Sequence, residues 1–123
     1  MLKDNHIDYC GGIEKAIEKA YQYVQEKKPG LKIEVETRSI DDVKKVIKTG
    51  KGKVFRIMLD NFQPGQITEA VQLIGEDFET EASGGINLDN IEEYAATGVD
   101  YVSVGALIHQ ARSLDLSLKA VID

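Results

Sequence analysis

Acidic residues recur in this sequence within or directly after short hydrophobic runs. Glu34 and Glu36 stand in Ile33-Glu34-Val35-Glu36, Asp60 follows Ile57-Met58-Leu59, and Glu81 lies in the run from Phe78 to Ala82. A single acid in such a place is a surface residue by default. Three runs that deliver acids to one rim suit Mg²⁺, which prefers oxygen ligands and keeps substrate phosphates in its shell. Ser83-Gly84-Gly85 follows the third run. Backbone N–H groups without side-chain bulk, next to a helix amino terminus, form an anion cradle. Alone, this tripeptide also reads as a plain tight turn. Ser103-Val104-Gly105-Ala106 supplies a second such turn one unit later, and the pair favours phosphate.

Other polar residues carry weaker signals. In Lys3-Asp4-Asn5-His6 the lysine reads as part of a polar tail, or as an anion ligand if Met1-Leu2 ends a strand. His6 and His109 are each a possible base, but without a nucleophile constellation they read as hydrogen-bonded structural groups. No zinc spacing exists. The one cysteine, Cys10, is expected to be a small buried residue. Arg56 precedes Asp60 by four residues, on the same strand face but nearer the opposite end, and is read as structural.

The elements that must position these groups alternate. Ile13, Ala16, Ile17, Ala20, Tyr21 and Val24 fall at helical spacing until Pro29-Gly30 breaks the run. A strand is expected over 31–36. Ser39 caps a helix with Asp41 and Asp42 in its first turn and Gly50 at its end. A strand over 53–59 precedes a helix that opens at Pro64-Gly65 and closes before Gly75. A strand over 78–82 is followed by a helix capped near Asn87, with Leu88, Ile91, Tyr94 and Ala95 inward. Tyr101–Val104 is the last clear strand, and residues 113–122 fit either strand or helix. Strands alternating with helices give an α/β fold with a parallel sheet, whose active site gathers at the strand carboxyl ends. A closed eight-stranded barrel needs roughly 200 residues or more, so the expectation is a partial, open (β/α) barrel.

Composition sets the outer bounds. The chain has 123 residues, with 15 basic against 21 acidic side chains and a net charge of −6. That suits one globular domain over 1–123. The acidic balance and the lack of tryptophan argue against a nucleic-acid surface. No apolar run reaches the ~18 residues of a membrane span, and a lone cysteine fits a cytoplasmic protein.

Leu2-Lys3-Asp4-Asn5-His6, Gly11-Gly12-Ile13, Ile33-Glu34-Val35-Glu36-Thr37, Met58-Leu59-Asp60-Asn61, Glu81-Ala82-Ser83-Gly84-Gly85-Ile86 and Ser103-Val104-Gly105-Ala106-Leu107 occur in this order. The set resembles quinolinate phosphoribosyltransferase, the decarboxylating nicotinate-nucleotide pyrophosphorylase of NAD synthesis, over essentially the whole chain. The resemblance implies phosphoribosyl pyrophosphate and quinolinate as substrates and Mg²⁺ as cofactor. Lys3, Glu36 and Asp60 would be catalytic, with Lys3 on substrate anions. Glu36, with Glu34 as the lesser member of its pair, and Asp60 would hold the ribose hydroxyls and the metal. Ser83, Gly84, Gly85 and Gly105 would cradle the 5′-phosphate, with Glu81 supporting the rim and His109 nearby. His109 is flanked by Ile108 and Gln110 where the family reads Leu-Thr-His-Ser, which weakens that assignment.

The same comparison implies that the chain is the later part of the family barrel, lacking the amino-terminal domain and the basic residues that grip quinolinate. Little turnover is then expected from it alone. A related homologue of the molybdenum-associated type, or a non-catalytic phosphate-binding module, is the competing reading. Four or five parallel strands leave two open edges and a helix-free face that is expected to be apolar. Homo-oligomerisation is therefore expected.

Overall fold

A computed structural model describes residues 11–105 and 107–111. Lys3, His6, Cys10 and the ambiguous segment 113–122 lie outside the described residues. Helices α1 (Ile13–Lys27), α2 (Ile40–Gly50), α3 (Pro64–Ile74) and α4 (Ile91–Ala95) alternate with strands β1 (Glu34–Thr37), β2 (Arg56–Asp60), β3 (Glu79–Ser83) and β4 (Tyr101–Val104). A fifth strand, β5 (Leu107–Gln110), follows directly. The sheet runs in the order β1-β2-β3-β4-β5. The first four strands are parallel and β5 is antiparallel to β4. Every strand neighbours its predecessor, so the winding never reverses. Right-handed crossovers then stack the helices on a single face, and α1 packs on α2, α2 on α3 and α3 on α4. This is the winding of a barrel with an open sheet, as expected; the antiparallel β5 is an addition.

Local chemistry explains the boundaries. The Ser39 side chain accepts a hydrogen bond from the Asp42 amide at 3.1 Å and caps α2, with Asp41 and Asp42 against the positive helix end. Pro64 starts α3, and Gln66 reaches back to the Gln63 amide at 2.9 Å. Sheet pairing begins where the Ile33 carbonyl accepts the Phe55 amide at 2.8 Å. Leu31, expected within the strand, stays outside it and is exposed. The helix expected from Asn87 begins only at Ile91. Asn87 instead folds an Asx turn, accepting the amides of Asp89 and Asn90, and Asn90 stands just before the helix with its side chain turned back to the Asn87 amide and the Gly85 carbonyl. Leu88, expected inward, is 78% exposed as a result.

Val35, Ile57, Leu59, Ala82 and Val102 are fully buried and join the helix residues Ile17, Val43, Val46, Ile67 and Ala70 in one core. By strand alternation the opposite face carries Glu34, Glu36, Arg56, Met58, Asp60, Glu79, Glu81, Ser83, Tyr101 and Ser103. The expectation of an apolar helix-free face is therefore wrong. The alternation reads plainly in β2, where Ile57 and Leu59 are buried and Arg56, Met58 and Asp60 partly open. Among the described residues no helix is long and apolar enough to cross a membrane.

Candidate functional site

The parallel register aligns the charged face in rows. Glu34 stands opposite Arg56 and Glu79, Glu36 opposite Met58, Glu81 and Tyr101, and Asp60 opposite Ser83. The acids thus occupy three successive levels of one face, not one rim. Ser83 Oγ donates to Asp60 Oδ1 at 3.3 Å. The Asn61 amide donates to the Ser83 carbonyl at 2.9 Å and ties the ends of β2 and β3 together. Asn61 holds a φ of 60°, the left-handed region that asparagine tolerates better than most residues. Gly84 has a φ of 85°, and a Cβ there would lie 2.9 Å from Asp60 Oδ1 and closer still to the Asn61 side chain. Glycine at 84 is thus required before any ligand arrives. Ser83–Gly85 and Gly105 follow adjacent parallel strands at the same end of the sheet, the location anticipated for a two-walled anion cradle.

Glu36 and Asp60 are linked by a residue that the sequence reading passed over. Arg38 Nε and Nη2 each lie 3.4 Å from Glu36 Oε1, and Nε lies 3.6 Å from Asp60 Oδ2. Arg38 has the same strand parity as Glu36, a signal that could have found it. Its guanidinium shows that a cation fits between the two carboxylates. Their hard oxygens suit Mg²⁺, which needs only one or two protein carboxylates when substrate and water complete the shell. Among the described residues no third histidine, cysteine, aspartate or glutamate completes a metal cage.

Glu81, in the same row as Glu36, belongs to a different group. It is 1% exposed, and Arg56 reaches its Oε1 at 3.3 Å and Glu79 Oε1 at 2.9 Å. Burial first, then the neighbouring Glu34 carboxyl, push Glu81 up to about 7 against the opposing pull of Arg56. At Arg56 burial disfavours the charge, but the hydrogen bond with Glu79 and the fields of Glu34, Glu79 and Glu81 outweigh it and raise its pKa. The guanidinium also lies 4.3 Å from the centre of the Tyr101 ring. Arg56 is structural, as expected, and its partners include the Glu81 assigned to the rim. Glu34 Oε1 and Arg56 Nε are buried without a hydrogen-bond partner.

His109 is not brought to this group. It pairs with Val102 in the β4–β5 register, and directly opposed residues share a face. Its side chain therefore lies on the Val102 side of the sheet, away from Glu81 and Ser83. At the amino-terminal end of the strands, a depression of about 510 Å³ is lined by Glu79, Asp100, Tyr101 and Gln110 among others. There the Asp100 carboxylate accepts the Thr80 amide and hydroxyl at 2.9 and 3.1 Å. It is a clamp between β3 and β4, remote from Asp60 and the glycine turns.

A singly wound parallel sheet, with its carboxylates and glycine turns at the carboxyl ends of the strands, defines the class: a barrel-type α/β enzyme fold. The chain belongs to the quinolinate phosphoribosyltransferase family. Residues 1–119 match the family described as "Quinolinate phosphoribosyl transferase, C-terminal domain". The chain is 41% identical over 131 aligned positions to quinolinate phosphoribosyltransferase [decarboxylating] 2, mitochondrial, of Nicotiana glauca, covering 97% of this chain and 37% of the relative. It is 38% identical over 118 positions to the probable nicotinate-nucleotide pyrophosphorylase [carboxylating] of Bacillus subtilis, covering 96% and 39%. The solved nicotinate-nucleotide pyrophosphorylase of Francisella tularensis superposes with a TM-score of 0.75 at 36% identity, over 89% of this chain and 38% of that one. The chain thus spans well under half the length of these relatives.

Proposed function

We propose that this chain carries the phosphoribosyl pyrophosphate half of a quinolinate phosphoribosyltransferase site, in an enzyme that forms nicotinate mononucleotide with loss of CO₂. The pair Glu36 and Asp60, bridged by Arg38, with Asp60 beside the Ser83–Gly85 turn, supports this reading most directly. In it, both acids accept hydrogen bonds from the ribose hydroxyls. Their negative charge stands near C1, where positive charge develops as pyrophosphate departs. Ser83 keeps one Asp60 oxygen oriented. The amides of Gly84, Gly85 and Gly105 receive the 5′-phosphate, which fixes the sugar for attack by the pyridine nitrogen. Glu36 and Asp60 would also hold Mg²⁺, which when bound offsets charge on the diphosphate. Lys3 would meet substrate anions. Glu81 and Glu34 support the face from below, with Arg56.

Homo-oligomerisation and a cytoplasmic setting are also proposed. The first is supported by the outer edges of β1 and β5, which no strand pairs among the described residues. The second is supported by a lone cysteine, although the Nicotiana glauca relative is named mitochondrial.

Calorimetry with phosphoribosyl pyrophosphate, with and without Mg²⁺, tests the proposal. Binding that strengthens with Mg²⁺ and is lost in Asp60→Asn is expected. No binding under either condition would overturn it and favour a non-catalytic module. Turnover to nicotinate mononucleotide by this chain alone is expected to be very low, because Lys3 is the only one of the expected quinolinate anion ligands in the sequence.

A further inference from the structure

Arg38 reaches back to the acid pair from the turn between β1 and α2. Its backbone is pinned: the amide donates to Asp42 Oδ2 at 3.1 Å, and the next residue, Ser39, caps α2. Any exchange of partners by Arg38 therefore falls to its side chain. That side chain is 56% exposed, while those of Glu36 and Asp60 are 11% and 18% exposed. An exposed cation thus covers two largely buried anions. Its contacts to the two acids, at 3.4 and 3.6 Å, are long and splayed, short of the paired fork that guanidinium forms with its best oxyanion partners.

We propose that Arg38 is a resident counter-cation of the Glu36–Asp60 pair, which holds divalent cations off those carboxylates until a diphosphate-bearing ligand draws the guanidinium onto its own oxygens. The inference rests on the reading of Glu36 and Asp60 as ribose- and metal-binding acids. Glu36 and Asp60 are each largely buried and both within reach of Arg38; two such neighbouring carboxylates favour a positive partner, and the guanidinium supplies it. A metal ion and the guanidinium compete for Glu36 Oε1 and Asp60 Oδ2. A diphosphate offers geometry that matches the planar fork better than the splayed carboxylate contacts do. Moving Arg38 onto the ligand vacates the acid pair, so ligand and metal favour each other's binding, and the coupling is reciprocal. Arg38 is in this sense a specificity-determining residue for the diphosphate group.

Two separate titrations of the whole chain test this. In the first, bound Mn²⁺ is counted by electron paramagnetic resonance with no phosphate ligand present. Arg38→Gln is expected to bind Mn²⁺ roughly tenfold more tightly than the unsubstituted chain. Lys44→Gln makes the same charge change at an exposed position of α2 and should leave the affinity unchanged. Arg38→Lys keeps the charge and should stay near the unsubstituted value. Adding Asp60→Asn to Arg38→Gln should abolish binding. In the second titration, calorimetry with inorganic pyrophosphate in metal-free buffer should show binding weakened roughly tenfold by Arg38→Gln. Mn²⁺ affinity that is unchanged, lower or absent in Arg38→Gln overturns the proposal, as does pyrophosphate affinity that is absent or indifferent to the substitution. Neither titration contains the sugar ligand. Loss of phosphoribosyl pyrophosphate binding therefore counts against the proposed function alone.

Discussion

At Glu81 burial and charge oppose each other. The carboxyl is almost wholly enclosed and has Glu34 beside it, and the single hydrogen bond from Arg56 does not restore the ordinary value. A carboxyl raised in the folded state binds its proton more tightly there than in the unfolded chain. The stability it contributes is complete below about 4.5, the ordinary value, and is lost as pH rises through about 7. Urea midpoints should therefore fall across that interval, and Glu81→Gln should flatten the slope. A slope that persists unchanged in Glu81→Gln would place the titration elsewhere. At the rim, Gly84→Ala forces a side chain into the left-handed region and against Asp60 and Asn61. The expected cost is about 1–3 kcal/mol, with loss of phosphoribosyl pyrophosphate binding. A variant that melts with the parent and binds equally well would contradict the close approach of this turn to Asp60.

The elements owe their positions to caps and alternation. Ser39→Ala removes the acceptor for the Asp42 amide at the start of α2 and should cost about 1 kcal/mol, read by chemical denaturation. Because Arg38 leaves the chain just before this cap, the variant should also alter Mn²⁺ binding at the acid pair. Leu59 is fully buried between sheet and helices, and Leu59→Ala should cost about 2–5 kcal/mol. An exposed position such as Leu88 should tolerate alanine within about 0.5 kcal/mol. Equal effects at 59 and 88 would be incompatible with the register that buries one and exposes the other.

For the whole molecule the central fact is an open sheet with a charged face. Among the described residues the helix-free face is charged rather than apolar, so self-association falls to the strand edges. At β5, Leu107 is 65% and Ile108 53% exposed. Light scattering at micromolar concentration should show a homo-oligomer, and Leu107→Lys with Ile108→Lys should shift it towards the monomer. A monodisperse monomer before substitution would refute assembly through this edge.

The βα alternation, the barrel-type winding and the end of the sheet at which Asp60, Ser83 and Gly84 stand are legible in the sequence. Those properties follow from local rules: period-two burial in strands, helix caps such as Ser39, and glycines after strand ends. The family was legible as well, because its motifs keep their order along the chain. Which charges meet depends instead on the register between strands and on packing against the helices. Arg38 lies two residues beyond Glu36, yet its reach to Asp60 depends on the β1–β2 register. Glu81 reads as a rim acid in sequence, but burial and the reach of Arg56 from the neighbouring row draw it into an enclosed cluster. His109 looked available until antiparallel pairing with Val102 turned it to the other face. The polar character of the helix-free face was missed for the same reason. A run such as Glu34–Thr37 shows which residues alternate, and only packing against the helices says which half of the alternation is inside.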